Sequence, residues 1–403
     1  MIEQTQIQKW AESGIITPEQ AERMLADVAQ YKKERSSNRF ITAISTIGAI
    51  FLGVGMILFM ASNWEEISDA IKVAILLSST LGAYYAGYFL RYQRENFPRV
   101  GDSLIFLSTL LFGATLFLIA QMYHSSANAH WLVLIWLVCV LPVAYLFESV
   151  PIAGLSSLLF FVWVWLYFFG MDDSFDFFRN IRQVPTTYLV SGLALFGIGG
   201  LHYLSERLAK IAKTYRIAGL KVTLISLFLL SFEAFSKVSG HSLKSLSISD
   251  FSADILVGFI VLSLLSLVLA LVNTFLNPSK SQNVYLEGLT AIGLLAMASV
   301  VFFFPTTTAL YAIIFNLALV GVIIVLLYEG YRREDMALVN LGIFWLEILV
   351  VARYFDFFWE LLPRSAFFMV GGTILIFASV ALERKRRELK KRFQADDNIN
   401  NHG

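Results

Sequence analysis

The chain of 403 residues carries 57% hydrophobic and 15% charged side chains, against about 25% charged in soluble domains; with a mean hydropathy of +0.67, this excludes a water-soluble fold. A formal net charge of +1 excludes a nucleic-acid binder, which needs a basic excess to neutralise phosphates. Cys139 is the single cysteine, so neither an intrachain disulfide nor a cysteine-based metal site can form.

Residues 1–36 read as a small cytoplasmic helical hairpin. Ile7, Trp10 and Ala11 recur at helical spacing, and Gly14 supplies the left-handed residue at which a helix stops. Thr17-Pro18-Glu19-Gln20 spells an N-cap, a first-turn proline and a capping-box glutamine. Ala21, Met24, Leu25 and Val28 then form a second apolar stripe. Such a hairpin either caps the inner face of the membrane domain, the simpler account, or docks a protein partner or a second copy.

From residue 40 to 383 the chain reads as an all-α, polytopic transmembrane helical bundle. A span needs roughly 20 residues at about 1.5 Å rise to cross about 30 Å of hydrocarbon. Twelve apolar stretches meet that length, over residues 41–61, 70–90, 102–121, 130–147, 150–169, 186–204, 217–235, 253–276, 286–304, 307–328, 336–352 and 365–382. The borders at Glu148 to Pro151 and at Pro305 are the least sharp, so the count lies between ten and twelve. No cleavable signal peptide is expected, because the first apolar run starts forty residues in and is long enough to span. Residues 384–403 form a basic cytoplasmic tail with a disordered end.

Lysine and arginine alternate between rich and poor loops. One side holds Arg23, Lys32, Lys33, Arg35 and Arg39, then Arg91, Arg94 and Arg99, then Arg207, Lys210, Lys213 and Arg216, then Lys280, Arg332 and Arg333, and the tail from Arg384 to Arg392. The other side holds Arg179, Arg182, Lys237, Lys244, Arg353 and Arg364. The positive-inside rule therefore places both termini in the cytoplasm and favours an even number of spans. Ser45, Ala49 and Gly53 on the first span, and Ser79, Ala83 and Gly87 on the second, predict that small residues pack the first two spans together. The charged, aromatic segment from Arg353 to Arg364 predicts a helix lying in the outer interface. An echo between the strings near residues 46 and 291 is no stronger than chance between two apolar runs, so no internal repeat is read.

Two strings go beyond hydrophobicity: Ala61-Ser62-Asn63-Trp64-Glu65, closing the first span, and Ala120-Gln121-Met122-Tyr123-His124, closing the third. With Gly14-Ile15-Ile16-Thr17, they make residues 5–150 resemble the bacterial predicted membrane proteins of domain of unknown function 2157. The segment from Asn340-Leu341-Gly342 to Gly371-Gly372 is similar to a closing segment of several related multispan families. What the resemblance implies is a bacterial inner-membrane protein with no settled activity; it supplies no catalytic residues.

Ionisable groups inside a span cost about 2.5 to 3.5 kcal/mol and are functional suspects by default. Glu347 stands in the outer third of the eleventh predicted span, seven residues after Asn340 and on nearly the same face. Glu233 holds a similar place near the outer end of the seventh. Both share the outer side with Asn63, Glu65, Gln121, Tyr123 and His124, which predicts one outward-facing polar pocket handling protons or cations. The simpler account satisfies each group separately. Asn316, mid-membrane in the tenth span, reads as an interhelical hydrogen bond. Asp172, Asp173 and Asp176 read as a solvated acidic loop, and His124 and His130 lack zinc-site spacing, so no metal or other cofactor is expected.

No phosphate-binding loop, hydrolase elbow or zinc-protease motif is present, so no catalytic residues are assigned and an enzyme is the less favoured reading. The favoured function is a transporter or permease-like protein in contact with the lipid bilayer. The alternatives are an enzyme acting on a lipid or lipid-linked substrate at the extracytoplasmic face, and a structural or regulatory scaffold that assembles through the hairpin and the basic tail.

Overall fold

A computed structural model of the chain describes residues 7, 10–11, 16–62, 68–94, 97–123, 128–170, 182–202, 206–236, 253–276, 282–304, 309–358, 369, 371–377, 379–385 and 387. All regular structure among them is helical. The long helices are α1 (Pro18–Ser62), α2 (Asp69–Tyr88, prolonged by a π turn Phe89–Gln93), α3 (Pro98–Met122), α4 (Ala129–Phe147), α5 (Val150–Phe169), α6 (Gln183–His202), α7 (Ala209–Leu230), α8 (Ala253–Leu276), α9 (Gln282–Phe303), α10 (Leu310–Arg332) and α11 (Met336–Phe358). A C-terminal helical segment lies within residues 369–387. Nine of these helices are long and apolar enough to cross a membrane. The other three expected spans fall on α1, whose apolar part is the shorter Ile44–Gly55, on α7, which carries Lys210, Lys213, Arg216 and Lys221, and on the C-terminal segment, none of which is among the nine.

The predicted capping box forms reciprocally. The Thr17 amide donates to Gln20 Oε1 at 2.9 Å, and the Gln20 amide donates to Thr17 Oγ1 at 3.3 Å, satisfying two donors that a helix start leaves open. Thr17→Ala should cost about 1 kcal/mol locally. Faster amide exchange over residues 18–21 would reveal it, and unchanged exchange would show that the cap is redundant. What the cap begins is a single 45-residue helix, so the second arm of the expected hairpin runs without a break into the first span. Of the first arm, Ile7, Trp10 and Ala11 are helical, and Gly14 lies outside the described residues.

The chain divides into two compact units, residues 1–163 and 164–403, the division falling within α5. In the first unit α3 is the centre. Gly87 of α2 and Gly101 of α3 bring their backbones together: a Cβ on Gly87 would stand 2.8 Å from the Gly101 carbonyl oxygen. Thr80 and Thr115 share a hydrogen bond of 3.2 Å across the same pair. Gly53 of α1 faces Leu107 and Leu110, also on α3. Both small-residue faces are therefore used, but each meets the third span rather than the other. The spacing identified close-packing faces and could not choose their partner.

Glu148 separates α4 from α5. It adopts φ 50°, and its amide donates back to the Ala144 carbonyl, so one left-handed residue reverses the chain where glycine is the usual choice.

The second unit is built on α6, whose residues 189–195 are all buried, the signature of a helix enclosed on every side. Gly192 and Gly199 lie against α7. Neighbouring α8 is tied to α6 by hydrogen bonds from Ser266 Oγ to the Val190 carbonyl at 3.1 Å and from Asn273 Nδ2 to the Gly197 carbonyl at 2.7 Å. Between α8 and α9 the rings of Phe259 and Phe302 stack with centroids 3.7 Å apart. Lipid is as apolar as these side chains, so close packing and interhelical hydrogen bonds, rather than exclusion from water, hold the helices together.

Candidate functional site

Charged groups in the second unit gather at two levels. At the first level, the turn after α10 folds back on itself. The amides of Arg333, Glu334 and Asp335 donate to the carbonyls of Glu329, Tyr331 and Gly330, Glu334 takes φ 55°, and Asp335 Oδ1 caps the Ala337 amide at 2.9 Å. This turn lays the Arg333 guanidinium beside Glu329, with Nε donating to Oε2 at 2.9 Å. Glu287, near the start of α9, accepts from Arg333 Nη2 at 2.6 Å and from Arg216 Nη2 of α7 at 2.6 Å. One carboxylate thus joins two arginines across three helices. Glu329 is 3% exposed, and its Oε1 has no hydrogen-bond partner.

Burial pulls the Arg333 guanidinium down, but the Glu287 and Glu329 carboxylates outweigh it and raise its pKa above the usual arginine value. A raised base contributes its stability in full below its unfolded pKa, so Arg333 holds its pairs throughout any physiological range. Arg216 and Glu287 also line a cavity with Gly197, Gly200, Asn273 and Thr274. At about 30 Å³ it is too small for an organic substrate.

At the second level, the end of α7 meets α10 and α11. The Ser231 carbonyl accepts from Asn316 Nδ2 at 2.8 Å and from Arg353 Nη2 at 3.1 Å, so Asn316 makes the interhelical bond expected of it. Arg353 also donates to Asp356 at 2.7 Å and lies 4.3 Å from the Phe232 ring centroid. Arg182, just before α6, is 4% exposed, with Nη1 unpartnered. Its pKa is lowered to about 10 by burial, partly offset by Tyr311. A depressed base destabilises the folded form wherever it is charged, a cost that persists throughout the neutral range.

Glu347 stands between the two levels. The helix does not end at residue 352. It runs on through Arg353 to Phe358, so those residues continue α11 rather than starting a separate interfacial helix, and residues 359–364 of that expected segment lie outside the described residues. Along the candidate span Met336–Asp356, set by length and apolar composition, Glu347 lies about 16 Å from one end and about 14 Å from the other at about 1.5 Å per residue, near the middle of that stretch rather than in its outer third. With Asn340, Ile343 and Phe344 from α11, and Ser379, Leu382 and Glu383 from the C-terminal segment, it lines a groove of about 570 Å³. Its carboxylate is exposed and takes no hydrogen bond or ion pair among the described residues.

The other expected pocket residues are placed as follows. Gln121 and Tyr123 end α3 in the first unit, both exposed, while Asn63, Glu65 and His124 lie outside the described residues. Glu233 belongs to a four-residue helical turn after α7 has ended at Leu230, because the Ser231 and Phe232 amides close the helix onto Leu227, Phe228 and Leu229. The Ser231 carbonyl, two residues before Glu233, accepts from Arg353, six residues beyond Glu347 on α11, and Glu233 is not among the residues that line the groove at Glu347. Sequence reasoning passed over Glu287 and Glu329. The available signal was acidic residues at span ends on the arginine-rich side, where Arg216 and Arg333 had been weighed for topology alone.

Residues 8–153 match the family model described as "Predicted membrane protein (DUF2157)", in agreement with the resemblance carried by the Asn63 and His124 strings. No curated protein and no solved structure matches the chain.

Proposed function

We propose that this multispan membrane protein is a transporter or permease-like protein of the bacterial inner membrane, with both termini cytoplasmic and Glu347 in its substrate route. The observation that carries this reading is the Glu347 carboxylate, near the middle of a candidate span, in a groove and without a partner among the described residues. At that depth a charged group costs about 2.5 to 3.5 kcal/mol. Glu287, Glu329 and Arg353, at the two other levels, are paired, whereas Glu347 has no partner among the described residues, an arrangement suited to a group that must exchange what it binds. The arginine clusters at two other levels serve, in this reading, to hold α7, α9 and α10 together with the ends of α11, the helix that carries it.

Water access tests the reading directly. In a Cys139→Ala background, Glu347→Cys should react with a membrane-impermeant maleimide, and Asn128→Cys, at the exposed start of α4, should react from the extracytoplasmic side. An inert Glu347→Cys under conditions that fully label Asn128→Cys would mean that no aqueous route reaches mid-span, and the transporter reading would fall.

A further inference from the structure

The groove at Glu347 also carries information about what it accepts. Asn340, Ile343, Phe344 and Glu347 recur at the spacing that lines one helix face, and Ser379, Leu382 and Glu383 do the same on the C-terminal segment. The two elements are held together where Gly371 meets Tyr354: a Cβ at residue 371 would stand 2.7 Å from Tyr354 Cε1. The free volume, about 570 Å³, falls within the range of about 300 to 1,000 Å³ typical of small-molecule sites.

Its polar inventory is short. Glu383 is already paired with Arg387 at 2.9 Å, which leaves Glu347 as the one charge of the described lining without a partner, accompanied by the Asn340 amide and the Ser379 hydroxyl. Ile343, Phe344 and Leu382 supply apolar walls. A hard divalent cation takes about six to eight oxygen ligands, whereas the two carboxylates here stand on different elements, one already paired, and no group of three or more acidic, histidine or cysteine side chains gathers among the described residues. An anion would be repelled, and a neutral solute would leave the carboxylate unpaired at mid-span. A positive head on an apolar body satisfies every wall: charge against Glu347, a face for cation–π contact in Phe344, and apolar surface for the rest.

We infer that the groove binds a lipophilic organic monocation. This rests on the reading of Glu347 as part of a substrate route and names the substrate class of that route. The test uses the full chain in phosphatidylcholine nanodiscs, titrated with radiolabelled tetraphenylphosphonium; zero net lipid charge removes the electrostatic attraction of the bilayer for cations, and empty nanodiscs give the non-saturable hydrophobic partitioning to subtract. Saturable binding is expected, and triphenylphosphine oxide, similar in bulk but neutral, should not compete. Glu347→Gln should weaken binding at least tenfold and Phe344→Ala severalfold, while Glu347→Asp, which keeps the charge, should retain it and Thr17→Ala should leave it unchanged.

Absence of saturable binding by the native chain, equal competition by the neutral probe, or native-like binding by a monodisperse Glu347→Gln would each overturn the inference. If Glu347→Gln does not fold, the neutral competitor and Glu347→Asp still decide. Failure of binding together with labelling of Glu347→Cys would remove the cation class and leave the route. Binding together with an inert Glu347→Cys would leave a ligand site without a route.

Discussion

Replacing Glu287 by alanine is expected to cost about 2 to 3 kcal/mol of folding stability. Removing one partner of a fully buried ion pair costs about 3 to 5 kcal/mol, because the other charge is left uncompensated. Here the partners are only partly enclosed, with side-chain exposures of 20% for Arg216, 21% for Glu287 and 33% for Arg333, so water recovers part of the loss. The deletion nevertheless strips Arg216 of its Glu287 bond and leaves Arg333 only Glu329. Unfolding in mixed micelles at increasing denaturing detergent would measure the loss. In a cycle with Arg333→Ala, the two changes should couple by about 1 kcal/mol or more, since they share one bond. A Glu287→Ala chain within about 0.5 kcal/mol of the native one would show the network to be an incidental surface pairing.

Gly219→Leu is expected to abolish assembly of the second unit. A Cβ at this position would stand 2.5 Å from both the Gly192 carbonyl oxygen and the Phe196 amide nitrogen. Those are backbone atoms within α6, which is enclosed on every side and has no direction in which to yield. From the opposite helix, a Cβ on Gly192 would meet Thr223 Oγ1 at 2.6 Å and the Gly219 carbonyl at 2.8 Å. Gly219→Ala, which adds one methyl, should already cost about 1 to 3 kcal/mol by overpacking. Gly321→Ala is the matched comparison: nothing lies within 4 Å of its Cβ position, so it should be neutral or gain up to about 1 kcal/mol from helix propensity. The monodisperse fraction recovered in mild detergent ranks the three. Recovery of Gly219→Leu at native levels would mean that α6 and α7 do not cross as closely as described.

Much of the architecture could be read from single residues. The capping box needed only four consecutive positions, and the apolar stretches needed only length. What escaped was anything that depended on a partner distant in sequence. Ser45, Ala49 and Gly53 marked a packing face, but α3 was identified as its neighbour only by the fold. The charged and aromatic residues after position 352 suggested a separate interfacial helix, because composition does not register that Arg353 can bond Ser231 at the end of α7 and Asp356 one turn further along, and so remain inside a continuing α11. That extension is what moved Glu347 to mid-span. Glu287 was overlooked for the opposite reason: at a span end it looked solvated, and only the approach of α7 and the α10–α11 turn made it a shared acceptor.

Hydropathy and charge distribution along the chain therefore determined a helical membrane protein, because lipid requires every spanning segment to satisfy its own backbone and the cost of burying charge acts residue by residue. The tertiary structure decided which helices touch, which charges are shared and which carboxylate is left open. Those properties arise from contacts across as many as 122 positions of chain, as between Ser231 and Arg353, and no local pattern encodes them.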